Sequence, residues 1–217
     1  MPKKDHIMVF AAHNDDPMIG VGGTLIKYAK EKKKISIFIF SYGESSHPHF
    51  APDRVIKLRK KEYDKSAKIM NLNEYLEFFG LKEGHFKDEF KEKKLKKKIK
   101  EFIKKKKPSK IFTHSKDDPH PDHKAVHNIL MEILDELKYK CDVYSFDVWN
   151  PINLRKRSRP KLVVDITDTF EKKIKACKCH ESQKVVMVQM IPLAYTRAFI
   201  NGLNYDHKYA EIFFKIR

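Results

Sequence analysis

Short apolar runs alternate along this chain with longer stretches whose apolar residues recur at helical spacing. Ile7 to Ala12 and Ile35 to Phe40 are too short for buried helices and are typical of strands covered on both faces. Between them, Pro17 to Glu31 carries spaced apolar residues among lysines and favours a helix. The three segments together predict one β-α-β unit.

The same alternation continues towards the C-terminus. Helical spacing recurs over residues 55 to 70 and again after Asp122, which can cap a helix. Four further strands are predicted at Tyr75 to Phe79, Ile111 to His114, Val143 to Trp149 and Leu162 to Ile166. This order predicts the α/β class, with a mostly parallel sheet and helices on both faces. Because no repeat or Pro/Gly/Ser-rich linker interrupts it, all 217 residues are predicted to form a single domain.

The composition indicates a folded, strongly basic protein. There are 46 Lys and Arg against 29 Asp and Glu, a net charge of +17, yet 41% of the residues are apolar. No apolar run approaches the roughly 18 residues that span a bilayer, and no signal-peptide cleavage site follows the N-terminus. Three cysteines (Cys141, Cys177 and Cys179) cannot form a disulfide framework. We therefore expect a cytoplasmic protein without a membrane span.

The densest positive charge lies between Lys91 and Lys107, which contains eleven lysines and two acids. A basic module that binds nucleic acid without enzymatic activity is one interpretation. However, Leu95, Ile99 and Ile103 fall on one helical face, which favours an amphipathic helix packed on the sheet with solvated lysines outside. Aromatic residues are not interleaved for base stacking, so no specific nucleic-acid partner is expected.

Two polar segments follow predicted strands. Residues 13 to 16 read His-Asn-Asp-Asp after the first strand, and residues 118 to 123 read Asp-Pro-His-Pro-Asp-His after the strand that ends at His114. Loops at the carboxyl ends of parallel strands form the ligand crevice of open α/β sheets. Imidazole and carboxylate suit Zn²⁺, and three such ligands leave one coordination position open. The two segments together predict metal-assisted hydrolysis.

The residue types suit distinct roles in such a reaction. A buried pair such as Asp15 and Asp16 is costly without a cation, and if one carboxylate binds metal the other is free to act as a base. A protonated His120 could stabilise an oxyanion or protonate a leaving amine, with Asp118 or Asp122 orienting its imidazole.

Each segment also has a simpler interpretation. Two adjacent aspartates often form a solvated turn, and His-Pro-Asp-His can be a helix entry with Asp122 as its cap. His127 lies one helical turn after His123 and could share a metal with it, although a packing role is favoured. Gly20 to Gly23 could suggest a dinucleotide-binding turn, but these residues come too long after the strand in sequence. Close packing at the start of the first helix is the favoured interpretation.

With these motifs the sequence resembles the PIG-L/LmbE family of zinc-dependent N-acetylglucosaminyl deacetylases. The family's second motif, His-Pro-Asp-His, stands intact at residues 120 to 123. Its first motif is usually His-Pro-Asp-Asp-Glu, and here Asn14 replaces the proline and Pro17 the acidic residue. Other family-like segments follow in family order: Gly43-Glu44, Arg59 to Glu62, Val148-Trp149, Val164 to Thr167, Glu181 to Gln183, Arg197 with Gly202, and Tyr209 to Glu211.

The resemblance implies a Rossmann-like core and a set of site residues. The implied zinc ligands are His13, Asp16 and His123. Asp15 is the implied general base, and His120 is the group that stabilises the tetrahedral intermediate, modulated by Asp122. Zn²⁺ is the implied cofactor, with another divalent cation as the alternative.

The substrate implied by the resemblance is a small N-acetylated sugar or glycoconjugate that loses acetate. Members of the family often form trimers or hexamers, so the resemblance also allows a homo-oligomer, whose size the sequence does not give. Candidate substrate-binding residues are Glu44, Arg54, Tyr195 and Arg197; Tyr195 is also the nearest candidate for a tyrosine that assists the oxyanion. Arg54 and the arginines at 155, 157 and 159 could meet a phosphate or carboxylate on the substrate, but solvated surface residues are the favoured interpretation. Three alternatives stay open: hydrolysis of a different amide, a basic nucleic-acid-binding module without enzymatic activity, and, because of Asn14 and Pro17, sugar binding without turnover.

Overall fold

The fold is described from a computed structural model of the chain, for residues 5–47, 49–72, 75–150 and 160–217. Within these ranges, seven strands form one sheet: β1 (His6–Ala11), β2 (Lys34–Ile39), β3 (Tyr75–Phe78), β4 (Lys110–His114), β5 (Asp142–Phe146), β6 (Lys161–Asp165) and β7 (Ala210–Lys215). The same described residues contain seven α-helices: α1 (Asp16–Lys30), α2 (Pro52–Met70), α3 (Phe86–Glu92), α4 (Leu95–Lys106), α5 (Pro121–Leu137), α6 (Phe170–Cys177) and α7 (Lys184–Leu203). The predicted α/β class is confirmed.

The strand order is β3-β2-β1-β4-β5-β7-β6. The first five strands in this order pair in parallel, whereas β7 runs antiparallel to both β5 and β6. The chain progresses from β1 towards β3 on one side and from β4 towards β5 on the other. The carboxyl ends of β1 and β4 therefore flank the switch point at which open α/β sheets bind ligands.

The sheet is covered on both faces, as predicted. In β1, Ile7 and Val9 join one apolar cluster while Met8 and Phe10 join the other, and all four are fully buried. The first cluster includes residues of α1, α2, α6 and α7, and the second includes residues of α3, α4 and α5. Successive strand residues point to opposite faces, so a strand buried on both sides reads as a continuous apolar run.

The lysine-rich segment packs on the sheet through Ile99 and Ile103, which confirms the amphipathic interpretation. The predicted amphipathic helix is α4, which begins at Leu95 and not at Lys91, because Lys94 adopts a left-handed conformation between α3 and α4. Several lysines pair with glutamates of neighbouring elements: Lys96 with Glu132 and Glu136, Lys98 with Glu77, and Lys100 with Glu136.

Strand β5 ends at Phe146, earlier than the predicted end at Trp149. The backbone N–H groups of Val148 and Trp149 donate to Asp118 Oδ2 at 3.1 and 3.2 Å instead of to a neighbouring strand. The carboxylate therefore ends the strand and joins the β5 loop to the loop after β4.

The C-terminal strand β7 is joined to α1 through a buried carboxylate. Glu211 Oε1 accepts from Gly23 N at 3.0 Å and from Lys173 Nζ at 2.6 Å, and its Oε2 accepts from the backbone and side chain of Thr24 at 2.8 and 2.6 Å. A Cβ at Gly23 would lie 2.8 Å from the Ile166 side chain. Gly23 therefore serves close packing, as predicted for the segment from Gly20 to Gly23.

Within the described residues, no helix has both the length and the apolar character needed to cross a membrane.

Candidate metal centre

The first polar segment joins β1 directly to α1. The helix begins at Asp16 with Pro17 in its first turn, where a missing N–H costs nothing. The carbonyl of Asp15 accepts from two backbone N–H groups of that turn, and Asp16 Oδ2 accepts from His13 N at 2.7 Å. The short connection therefore holds four polar side chains, those of residues 13 to 16, at the carboxyl end of β1.

The second polar segment joins β4 to α5. Its helix is capped by His120, whose Nδ1 accepts from the backbone N–H of Asp122 at 3.2 Å. The prediction that Asp122 is the cap is therefore wrong, because Pro121 occupies the first helical position and places Asp122 inside the first turn. This geometry leaves the Asp122 carboxylate free to reach other elements.

The three predicted metal ligands meet between these segments. Ligand atoms of His13, Asp16 and His123 all lie within 4.8 Å of one another, and all three side chains are buried. His123 Nε2 is 3.3 Å from Asp16 Oδ1, and His13 Nδ1 is 3.4 Å from Asp16 Oδ2. Residues more than one hundred positions apart thus bring together two imidazoles and one carboxylate that could hold a single ion.

The surroundings of His123 also fit a metal ligand. Its Nδ1 lies 3.0 Å from Asp118 Oδ1, which also accepts from His120 N at 3.1 Å. Both ring nitrogens are buried and neither makes a well-aligned hydrogen bond within the described residues, and Nε2 lies 3.3 Å from Asp16 Oδ1. A histidine that binds a divalent ion usually directs one ring nitrogen to a carboxylate and the other to the metal, and this ring lies between the carboxylates of Asp118 and Asp16. The residues therefore fit the Zn²⁺ that the sequence predicts.

The pKa of His13 is raised although its imidazole is buried. Burial alone would lower this pKa, but the hydrogen bond with Asp122, at 3.3 Å, and the nearby Asp16 and Glu83 carboxylates raise it to about 10. The negative charge around His13 would attract a metal cation in the same way as it attracts a proton.

Asp16 and His123 stabilise each other's charged forms. Burial would raise the pKa of Asp16, yet His123 and His114 hold it well below its usual range. Burial would lower the pKa of His123, but Asp16 and Asp118 raise it to about 9. Because imidazoles bind metal in their deprotonated form, uptake of a divalent ion releases protons here.

The sequence interpretation missed His114 as a part of this site. His114 is fully buried, stacks on His123 with ring centroids 3.8 Å apart, and accepts from Ala12 N at 3.0 Å. Burial, together with His123, lowers the pKa of His114 to about 4. His127 lies with its Nδ1 2.8 Å from the carbonyl of His114, in keeping with its expected packing role.

A cleft of about 100 Å³ opens beside the three ligands. Its lining includes two of the predicted catalytic residues, Asp15 and His120. The other lining residues are His13, Asp16, Ile19, Arg59, Glu83, Val148, Trp149, Gln183 and Val186. The cleft therefore presents the predicted base and the predicted oxyanion-stabilising residue to the same small volume.

Asp122, the third predicted catalytic residue, is directed towards His13. Its Oδ2 lies 3.3 Å from His13 Nε2, and its two oxygens accept from Gly84 N at 2.9 and 3.2 Å. Its link with His120 runs through its backbone N–H. Because Nδ1 of His120 accepts that hydrogen bond, the proton of the neutral ring lies on Nε2, where it can be donated.

The four predicted substrate-binding residues do not line this cleft. Glu44 accepts from Ser41 Oγ at 3.1 Å, and the Arg54 guanidinium lies 4.5 Å from the Phe50 ring. Tyr195 packs against Phe170, with ring centroids 4.6 Å apart, and Arg197 donates to Asn150 O at 3.0 Å in a separate cavity of about 700 Å³. The arginines at 155, 157 and 159 lie outside the described residues.

Two further cleft residues come from loops far from the polar motifs. Glu83, between β3 and α3, places Oε1 3.4 Å from His13 Nε2, and no motif marks it in the sequence. Gln183 follows Ser182, whose backbone N–H and hydroxyl both donate to buried Glu62 at 2.6 Å. In the sequence, only the resemblance to family segments marks Glu181 to Gln183.

His180 is a buried histidine close to Asp15 and Arg59, and its protonation should make the free energy of unfolding depend on pH. Burial is the main reason that its pKa falls from 6.5 to about 4; Arg59 lowers it further, whereas Asp15 and Asp16 oppose the shift. Between these pH values only the unfolded chain binds the proton, so this contribution is complete above about pH 6.5 and is lost as the pH falls towards 4. The shift corresponds to about 3 kcal/mol.

We expect metal-free His180→Asn to lose less stability than the parent chain between pH 7 and pH 4.5, as measured by urea unfolding at each pH. Since other groups titrate in both proteins, the difference between their slopes of unfolding free energy against pH reports the contribution of His180. Parallel slopes would show that His180 is not the responsible group.

A family model described as GlcNAc-PI de-N-acetylase (PIG-L) matches residues 8–134, a range that contains both polar segments.

Several solved structures share the fold. The N,N'-diacetylchitobiose deacetylase from Pyrococcus horikoshii is 20% identical with a TM-score of 0.80, over 98% of this chain and 84% of that chain. The 4-carboxy-2-hydroxymuconate hydratase from Pseudomonas putida is also 20% identical, with a TM-score of 0.79 over 98% and 96%. A zinc-inhibited form of teicoplanin deacetylase is 16% identical, with a TM-score of 0.77 over 97% of each chain. At these identities the likeness shows the fold alone, and the fold carries more than one chemistry.

Proposed function

The chain belongs to the PIG-L family, and from this premise we propose that it is a metal-dependent hydrolase that removes acetate from an N-acetylglucosamine-type sugar or glycoconjugate. The observation that carries the proposal is the convergence of His13, Asp16 and His123 within 4.8 Å of one another. The cleft beside them is lined by Asp15 and His120, which suit proton transfer and oxyanion stabilisation.

His13, Asp16 and His123 would hold the ion. When bound, a divalent cation at this place supplies Lewis-acid activation of water and of the amide carbonyl. Asp118 orients His123 through Nδ1, and Asp122 orients His13 through Nε2. These carboxylates fix the ring orientations before any ion binds, which favours metal affinity.

Asp15 is the proposed base. It is adjacent in sequence to the ligand Asp16 but is held by a different neighbour, Arg59, with Nη2 3.3 Å from Asp15 Oδ1. Asp15 accepts a proton from water as the water oxygen forms a bond to the acetyl carbon. The same proton can then pass to the sugar nitrogen as the carbon–nitrogen bond breaks, which yields acetate and the free amine.

His120 is the proposed oxyanion donor. Its Nδ1 is occupied by the Asp122 backbone N–H, so the neutral ring carries its proton on Nε2. His120 lines the cleft and packs near both metal-binding imidazoles, with ring centroids 5.1 Å from His13 and 4.7 Å from His123. A neutral donor suffices for this role, so the protonated His120 anticipated from sequence is not needed.

The function can be tested by measuring metal content and acetate release together. We expect the purified chain, after incubation with Zn²⁺ and dialysis, to retain about one ion, as three protein ligands define a single site. It should release acetate from N-acetylglucosamine, diacetylchitobiose or an N-acetylglucosaminyl phosphatidylinositol. His123→Ala should lose both metal and activity, whereas the exposed Glu101→Gln serves as the control. Full activity in protein freed of metal by a chelator would contradict the proposal.

A second candidate is water addition to a carbon–carbon double bond at the same centre. The similarity in fold to a hydratase at the same identity as to a deacetylase favours including it in the test. An unsaturated dicarboxylate assayed beside the acetylated sugars distinguishes the two, because hydration consumes the double bond without releasing acetate. Hydrolysis of another amide would appear as turnover of N-acyl substrates other than the sugars.

A further inference from the structure

Asn14, one of the two residues that depart from the family's first motif, is bound to an arginine of α2. Its side-chain Oδ1 accepts from Arg59 Nε at 3.0 Å and from Arg59 Nη2 at 2.5 Å. Its Nδ2 donates in return to the backbone carbonyl of Arg59 at 2.7 Å. Asn14 is fully buried and Arg59 is 2% exposed. Three hydrogen bonds therefore join the loop after β1 to α2 in the protein interior.

The guanidinium of Arg59 is enclosed on another side by Gly43. This glycine follows β2 with φ +73°, and a Cβ there would lie 2.5 Å from Arg59 Cζ. The backbone of the β2 loop therefore packs directly on the guanidinium plane. Any side chain at position 43 would displace the arginine and would also strain the left-handed backbone.

The same guanidinium contacts Asp15. Arg59 Nη2 lies 3.3 Å from Asp15 Oδ1, and the Asp15 side chain is 8% exposed. Asp15 and Arg59 both line the cleft beside the ligands. Arg59 thus bridges Asn14 and Asp15, two consecutive residues whose relative orientation it constrains.

We propose that Asn14 is a positioning residue, which holds the Arg59 guanidinium against Asp15 and so fixes the Asp15 carboxylate at the cleft. The proposal rests on the proposed function of Asp15 as the base. The proline that usually stands at position 14 restricts the backbone but offers no side-chain acceptor. In this chain the amide of Asn14 provides the constraint through α2.

The bond pattern requires the planar fork of an arginine. One acceptor oxygen receives both Nε and Nη2, while Nη2 also faces the Asp15 carboxylate. A lysine ammonium is a point charge on a flexible chain and cannot reproduce these fixed directions. Arg59→Lys keeps the charge but removes the constraint, which separates positioning from simple charge compensation.

The kinetic test compares Asn14→Ala, Arg59→Lys and the double variant after zinc loading. We expect each single variant to lower kcat about 10- to 100-fold with KM changed less than about two-fold, as for other residues that orient groups in metal sites. The double variant should lose little more than either single one, because both act through Asp15. Ser66→Ala removes a buried hydroxyl that donates to Tyr63 O on the same helix and should keep kcat. Additive losses, or a changed KM alone, would overturn the proposal.

Crystal structures of the same zinc-loaded variants provide a readout that does not need activity. We expect the Asp15 carboxylate to leave its parent position in Asn14→Ala, while His13, Asp16 and His123 stay within coordinate error. Gly43→Ala, which displaces Arg59 from its other side, should move the same carboxylate with Asn14 intact. An unmoved Asp15 in either well-folded variant would refute the positioning role. Absence of deacetylase activity in the parent chain would instead refute the proposed function.

Discussion

Replacing Asp15 with asparagine is expected to lower kcat for acetate release by about 100- to 10,000-fold, the range typical for loss of a general base. The amide retains the size of the carboxylate and can still accept from Arg59, but it cannot take up a proton at neutral pH. Since Asp16, His13 and His123 are unchanged, metal content should stay close to that of the parent chain. Steady-state kinetics with parallel metal analysis measures both quantities.

Asp53→Asn is the matched control, because this exposed carboxylate lies in the first turn of α2, away from the residues lining the cleft. We expect its kcat and metal content to remain at the parent values. If Asp15→Asn instead retained full kcat, Asp15 would not be the base. If it lost activity only in proportion to lost metal, its role would lie in metal retention.

Glu211→Gln is expected to lower the free energy of unfolding by about 3 to 5 kcal/mol, the usual cost of breaking a buried ion pair from one side. The substitution leaves the ammonium of Lys173 buried without its partner. It also directs an amide NH₂ group at the N–H groups of Gly23 or Thr24, which in the parent chain donate to the Glu211 carboxylate. Urea unfolding of the two metal-free proteins gives this difference, provided that their unfolding free energies depend equally steeply on urea concentration.

Glu136→Gln provides the contrasting control. Glu136 pairs with Lys96 and Lys100 on the exposed surfaces of α4 and α5, where solvent screens the interaction. The unfolding midpoint of Glu136→Gln should lie close to that of the parent chain, and the difference between the two midpoints should shrink at high salt. A similar loss of stability in both variants would show that burial of the Glu211 pair is not the decisive factor.

The part of the fold that could be predicted from sequence is the part fixed by local apolar patterning. Strands β1 and β2 are buried on both faces, so their side chains read as unbroken apolar runs whose identity does not depend on partners. The end of β5 could not be predicted, because it is set by Asp118, thirty positions away in the chain. The left-handed conformation of Lys94 between α3 and α4 likewise could not be predicted, because neither glycine nor proline marks that position.

The candidate ligands were predictable for a related reason. His13, Asp16 and His123 lie in motifs that directly follow strands, and parallel strands bring their carboxyl ends to one edge whatever the remaining packing. Glu83 and His114 carry no such signal: one lies in an unremarkable loop, and the other reads as the last residue of a strand. The predicted substrate-binding residues rested on resemblance and loop position, and neither determines which side chains line a cleft of about 100 Å³.

The interior position of β7 has a consequence for how the chain reaches its native state. This strand is the last in sequence, yet it separates β5 from β6, so both earlier strands keep an unpaired edge until residues 210 to 215 are available. During synthesis on the ribosome, the nascent chain therefore exposes the unpaired edges of β5 and β6. At this stage the Gly23 and Thr24 donors of α1 also lack the Glu211 carboxylate that accepts from them in the native state. Such edges favour aggregation, and chaperone contact should be concentrated in the interval before the final strand inserts.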